Sequence, residues 1–229
     1  MKGNNMTHSV KTTRPFCILS ALSGILGVLM LIISFSINTG PPPGSSGPAL
    51  ARFVEQSSKS VLWGAWLQAV GPIFVVLFAF ALVHLSGADR RLSGWMTLFG
   101  ATTLMTVNLI EVTFYICALF TTPSGMMEIG TSLISSVQHL YFIVSAPALF
   151  LPLGIVLITS RIIPRVIGYL ALGLGGTFAV VGIASLLTLA LPGSVTSLGS
   201  IQAVWWLAAA LSLLFRSRKI SALDHLEET

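Results

Sequence analysis

Six long apolar segments, each separated from the next by a polar or turn-forming stretch, constrain this chain more than any other feature. They cover roughly 16–38, 61–85, 93–120, 132–159, 164–191 and 195–215. About 20 apolar residues are needed to cross the hydrocarbon core of a bilayer, and each segment meets that length. Lipid offers no partner for backbone N–H and C=O groups, so such a segment has to be helical. The separators are 39–60 (with Pro41-Pro42-Pro43-Gly44), 86–91, 121–130, Ser160-Arg161 and Pro192-Gly193-Ser194. These are turn and breaker compositions. The last two are tight, which predicts antiparallel hairpins for spans four to five and five to six. The expected fold is therefore all-α: a polytopic membrane protein with six transmembrane helices in a single domain over 1–229. The longest outer loop is at 39–60 and a tail is at 216–229.

Composition supports this reading. Hydrophobic residues make up 54% of the 229 positions and charged residues only 8%, against about 25% charged in ordinary soluble domains. No stretch is left over for a soluble domain. The formal net charge is +5, but the basic residues lie in short loops beside apolar helices. There they are topology signals and contacts for anionic lipid headgroups, not a nucleic-acid surface. Membrane lipids are the expected partners, and no nucleic acid is.

Orientation follows from counting Lys and Arg by side. Lys2, Lys11, Arg14, Arg90, Arg91, Arg161, Arg165, Arg216, Arg218 and Lys219 all fall on one side of a six-span arrangement, and only Arg52 and Lys59 on the other. The positive-inside bias predicts both termini in the cytoplasm. The basic start and Ala49-Leu50-Ala51 imitate a signal peptide, but the run from Phe16 to Ile37 is too long for its apolar core, so a retained first helix is expected. In the first outer loop, the three prolines predict an extended stretch and 44–47 a flexible one. Residues 49–60 can form an interfacial helix running into span two, with Trp63 and Trp66 at the outer headgroup level. Ile220, Leu223 and Leu226 suit a short surface helix or a frayed tail. Cys17 and Cys117 fall near opposite membrane faces, too far apart for a disulfide.

One acidic residue, Glu111, lies inside the six segments. A charge at membrane depth costs about 2.5 kcal/mol or more, so it normally faces a partner or a cavity. At about 1.5 Å of rise per residue, Gln68, Glu111, His139 and Gln202 fall at similar depths, about 10–13 Å below the outer boundary. Four helices thus offer a polar side chain in one slab. Asn108, Glu111 and Tyr115 share a face of span three at i, i+3 and i+7, and Ser135 and His139 share one of span four at i and i+4. Gln138 and Tyr141 are close by, and Pro147 and Pro152 should kink or break the same helix. The expected site comprises Glu111, His139, Asn108, Gln68, Tyr115 and Gln202, centred on a Glu111–His139 pair able to carry a proton or to bind a cationic or hydroxylated small molecule. Two alternatives stand beside it. One is a structural or regulatory membrane partner with no ligand, acting through the small face of span five or its cytoplasmic loops, in which the polar slab is an interhelical hydrogen-bond network that only fixes packing. The other is a lipid-modifying enzyme with Glu111 and His139 as acid and base.

Sharper chemistries do not fit. A bis-histidine haem needs two histidines at one depth, and His84 sits at the opposite membrane face from His139. A retinal Schiff base needs a membrane-embedded Lys, and no span has one. One Glu and one His are too few for a structural or catalytic metal. No GxSxG, HExxH or Walker pattern occurs. No cofactor is expected. Span five carries Gly168, Ala171, Gly175, Ala179 and Gly182 on one helical face, where another backbone can approach closely, either within the chain or across a homodimer.

Leu151-Pro152-Leu153-Gly154 leads into Thr159-Ser160-Arg161-Ile162-Ile163-Pro164-Arg165-Val166-Ile167-Gly168-Tyr169. This segment, together with the basic start, the long first outer loop and the acidic residue in span three, resembles a family of bacterial six-span membrane proteins classed only as a domain of unknown function. The resemblance implies a bacterial plasma-membrane location and brings no activity or catalytic residues.

Overall fold

The computed structural model describes residues 14–38, 47–120, 124–160, 162–188 and 195–226. The helices are α1 (Arg14–Ile37), α2 (Gly47–Leu85), α3 (Leu92–Phe120), α4 (Ser124–Leu140), α5 (Ala146–Thr159), α6 (Arg165–Thr188) and α7 (Val195–Leu226). A π-helical turn, Tyr141–Ser145, joins α4 to α5. Among the described residues there is no strand. Six helices are long and apolar enough to cross a membrane, with α4, the π turn and α5 forming one crossing, Ser132–Thr159. The fold is all-α and polytopic, as the segment lengths require. No disulfide joins Cys17 to Cys117.

The helix expected at 49–60, running into span two, is present as the start of one continuous α2 from Gly47. Two boundaries differ from the sequence reading. The stretch 121–130, read as a turn from its Pro and Gly content, is already helical from Ser124. The tail is no separate surface element, because α7 continues unbroken to Leu226. The extended prolines 41–43, most of the flexible stretch 44–47, Lys2, Lys11, Arg161 and Pro192-Gly193-Ser194 lie outside the described residues.

Lipid tails are as apolar as leucine, so helix association here depends on close packing rather than on escape from water. Glycine supplies that closeness. A methyl group on Gly27 would lie 2.7 Å from the Gly71 carbonyl oxygen, and one on Gly100 only 2.2 Å from that of Ala148. These contacts fix the α1–α2 and α3–α5 crossings. The small-residue stripe of the fifth span is used within the chain. Gly168 packs on Gly154 and Ile158, Gly175 on Leu151, and Gly182 on the backbone of Phe142 and Ile143. Ala171 is fully buried as well. Of the two uses expected for the stripe of Gly168, Ala171, Gly175, Ala179 and Gly182, packing within the chain is the one these contacts show, at Gly168, Gly175 and Gly182.

The turn between α2 and α3 shows how local sequence sets a helix end. Gly87 has φ +61°, a left-handed conformation that glycine adopts without steric penalty. Its N–H bonds the His84 carbonyl at 2.9 Å, and the Ala88 N–H bonds that of Val83 at 3.1 Å. This is a Schellman cap, completed by apolar packing of Ala88 with Val83.

The prolines of span four do not break it. Pro147 has no N–H and its ring would clash with the carbonyl four residues back. The wider turn before it absorbs both effects, and the Ala146 N–H reaches back five residues to the Tyr141 carbonyl. Pro152 sits inside the continuous α5. Inside the bundle, Phe142, Phe150, Phe178, Trp205 and Trp206 form a chain of ring contacts, with centroids 4.8 to 6.1 Å apart. Trp205 also donates to the Ile167 carbonyl at 2.9 Å.

A candidate polar site between the second, third and fourth spans

Glu111 projects from α3 into the bundle and is 8% exposed. Each of its carboxylate oxygens accepts one amide N–H from a different helix. Gln68 of α2 donates through Nε2 to Oε2 at 2.8 Å, and Gln138 of α4 donates through Nε2 to Oε1 at 3.0 Å. Three spans meet at this one side chain. An ionised carboxylate offers about four lone-pair positions, so two remain after both amides are counted. Among the described residues no Lys, Arg or His pairs with Glu111; at the end of α2, His84 Nδ1 lies 3.1 Å from Asp89 Oδ2.

The expected Glu111–His139 pair is not formed. The His139 Nδ1 lies 2.8 Å from the Ser135 main-chain oxygen, one turn back on its own helix. Ser135 and His139 do share a face, as their spacing requires. The next residue back, Gln138, takes the place at the carboxylate. The reason is angular: adjacent helical residues differ little in depth but point about 100° apart. Ile134, Val137 and Gln138 lie on the inward stripe of α4, with Tyr141 continuing it at i+7, and His139 is off it. That apolar stripe was the signal that would have selected Gln138 over His139.

The remaining expected residues divide in two. Asn108 donates through Nδ2 to the Leu104 carbonyl of its own helix at 2.9 Å, so it does not reach the carboxylate. Tyr115 is half-buried one turn beyond Glu111 and within Coulombic reach of it, without a hydrogen bond between them. Gln202 belongs to a second pair, accepting a short hydrogen bond from the Tyr141 hydroxyl. Tyr141 is also within Coulombic reach of Glu111 and packs edge-on against Phe178. The polar slab therefore exists as two hydrogen-bonded groups, Gln68–Glu111–Gln138 and Tyr141–Gln202, linked through α4 and the π turn. Turns of this kind recur at functional positions in helices.

Gln68 has a further property that its position alone does not reveal. It is 1% exposed, and its Oε1 has no hydrogen-bond partner. Ser145 Oγ and Trp206 Nε1, deeper in the bundle, are likewise buried without one. Among the described residues no three His, Cys, Asp or Glu side chains come together as metal ligands would.

No family model, no curated protein and no solved structure matches this chain. A functional reading has to come from the residues themselves.

Proposed function

We propose that this chain is a multi-pass protein of the bacterial plasma membrane, with both termini cytoplasmic, that binds a proton or a small cationic molecule at Glu111 in the outer leaflet and transports or senses it. One observation carries the reading: a membrane-embedded carboxyl is held by two neutral amides and, among the described residues, by no cation. A buried carboxylate without a counter-charge is costly. It becomes stable when it takes up a proton or a cationic ligand. Intramembrane acids with these surroundings typically serve proton relays and substrate paths. The lopsided distribution of Lys and Arg supports the orientation.

The test is infrared difference spectroscopy together with flux measurements on protein reconstituted in liposomes. A protonated carboxyl gives a C=O band that shifts with pH and is absent from Glu111→Gln. A pH-sensitive or cation-sensitive dye inside the vesicles should report uptake by the wild type and none by Glu111→Gln. A wild type lacking both the band and the flux would overturn the reading.

A second reading has support of its own. Gln68, Glu111 and Gln138 tie three helices together, which is what a purely structural network does. It predicts that Glu111→Gln changes stability and nothing else. The lipid-enzyme alternative draws no support from the Glu111–His139 geometry, since His139 Nδ1 lies against the Ser135 carbonyl of its own helix.

A further inference from the structure

Resting on the reading above, we infer that the species held at Glu111 is a compact monovalent cation, an alkali ion or ammonium, and that Gln68 supplies further oxygen ligands through its amide Oε1 and its main-chain carbonyl. The site has a surplus of hydrogen-bond acceptors. Gln68 commits its amide N–H to Glu111, which fixes its Oε1 as the free end of the same amide. That oxygen is buried with no donor. It shares a carbon with the nitrogen that lies 2.8 Å from the carboxylate, so both oxygens belong to one small volume.

The main chain adds another acceptor. The regular helical donor to the Gln68 carbonyl would be the N–H of residue 72, and residue 72 is proline, inside the continuous α2. Proline has no N–H to give. Other α2 carbonyls receive serine hydroxyls from α1, Gly64 from Ser34 at 2.7 Å and Phe74 from Ser23 at 2.9 Å. Among the described residues no side chain does this for Gln68. Gln68 thus brings an unpartnered amide oxygen to a carboxylate with lone pairs left over, and its main-chain carbonyl lacks the regular helical donor. A proton on Glu111 would satisfy one acceptor. A hard cation takes several oxygens at once, and an ammonium offers several donors. Three-residue sets of His, Cys, Asp or Glu are absent among the described residues, which fits a hard ion better than a transition metal.

The experiment is a thermal melt of the purified full-length protein in mild detergent. Sodium, potassium or ammonium chloride is exchanged for choline chloride at constant ionic strength. One of the three cations should raise the melting temperature saturably, as ligand binding to the folded state requires. The rise should vanish in Glu111→Gln. Pro72→Ala returns the helical N–H to the Gln68 carbonyl and removes a helix breaker, so it should fold and bind about tenfold more weakly, the effect of losing one contact to a charge. His139→Ala should respond like the wild type. No saturable response to any cation would overturn this inference. If the Glu111 infrared band persisted in that case, the proton reading would survive; absence of both the band and the flux would remove it too. A response untouched by Glu111→Gln and Pro72→Ala would place the ion elsewhere and overturn the inference as well.

Discussion

Gln68 donates its side-chain amide to Glu111 across 2.8 Å, from a helix whose proline one turn further on leaves the Gln68 carbonyl without its usual donor. One residue therefore stabilises the carboxylate while its own Oε1 stays buried without a donor.

Removing the acceptor should be worse than changing it. Glu111→Leu strands the amides of Gln68 and Gln138, and each unsatisfied donor costs about 1–3 kcal/mol. Glu111→Gln keeps an oxygen for one of them and should lose less. Melting temperatures of the two variants in the same detergent give the order directly, and equal losses would contradict the hydrogen-bond assignment.

Coupling energies should follow the observed partners. A double-mutant cycle over Gln68→Leu and Glu111→Leu is expected to give an interaction of about 0.5–2 kcal/mol. The same cycle over His139→Ala and Glu111→Leu should give a value near zero, because His139 bonds the Ser135 carbonyl instead. Chemical denaturation of the single and double variants supplies both numbers.

This contrast marks where the sequence was readable and where it was not. Crossing hydrocarbon imposes length and composition, so all six spans could be placed, and depth along each helix brought Gln68 and Glu111 to one level. Depth does not fix azimuth. Gln138 and His139 differ by one residue in height and by a quarter turn or more in direction, and the π turn after Leu140 re-phases everything that follows. Pro and Gly near 121–130 look like a loop, yet helices begin readily beside such residues, and α4 starts at Ser124. Pro72 was read only as part of an apolar run; its effect on Gln68 needs the hydrogen-bond partners to be seen.

Glycines should divide by what lies opposite them. Gly182→Ala places a methyl 2.9 Å from the π-turn backbone at Phe142 and Ile143, and overpacking of this kind costs about 1–3 kcal/mol. Gly100→Ala, at 2.2 Å from the Ala148 oxygen, should be more damaging still. Gly173 has nothing within 4 Å, so Gly173→Ala should match or exceed the wild type, by about 0.5–1 kcal/mol from helix propensity. Thermal melts of the three variants check the ranking.

The adjacent tryptophans should respond differently to the same change. Trp205→Phe loses the bond to the Ile167 carbonyl, worth about 0.5–1.5 kcal/mol. Trp206→Phe discards a buried N–H that has no partner, so part of its packing loss is offset. The melting temperature is expected to fall further for Trp205→Phe than for Trp206→Phe.

The first helix has a consequence for biogenesis. Ser23 and Ser34 of α1 bond carbonyls of α2, so those two crossings can join as soon as both have entered the bilayer. The other side of α1 has to wait. A methyl on Gly24 would meet the Phe78 ring at 2.7 Å and the Ala210 methyl at 3.1 Å, and Ala210 belongs to α7. The groove on α1 is filled by α7, which follows the other described crossings in the chain. Until the ribosome has delivered α7, the nascent bundle has an open seam along α1, and that seam is where an insertion factor or a premature neighbour would find it.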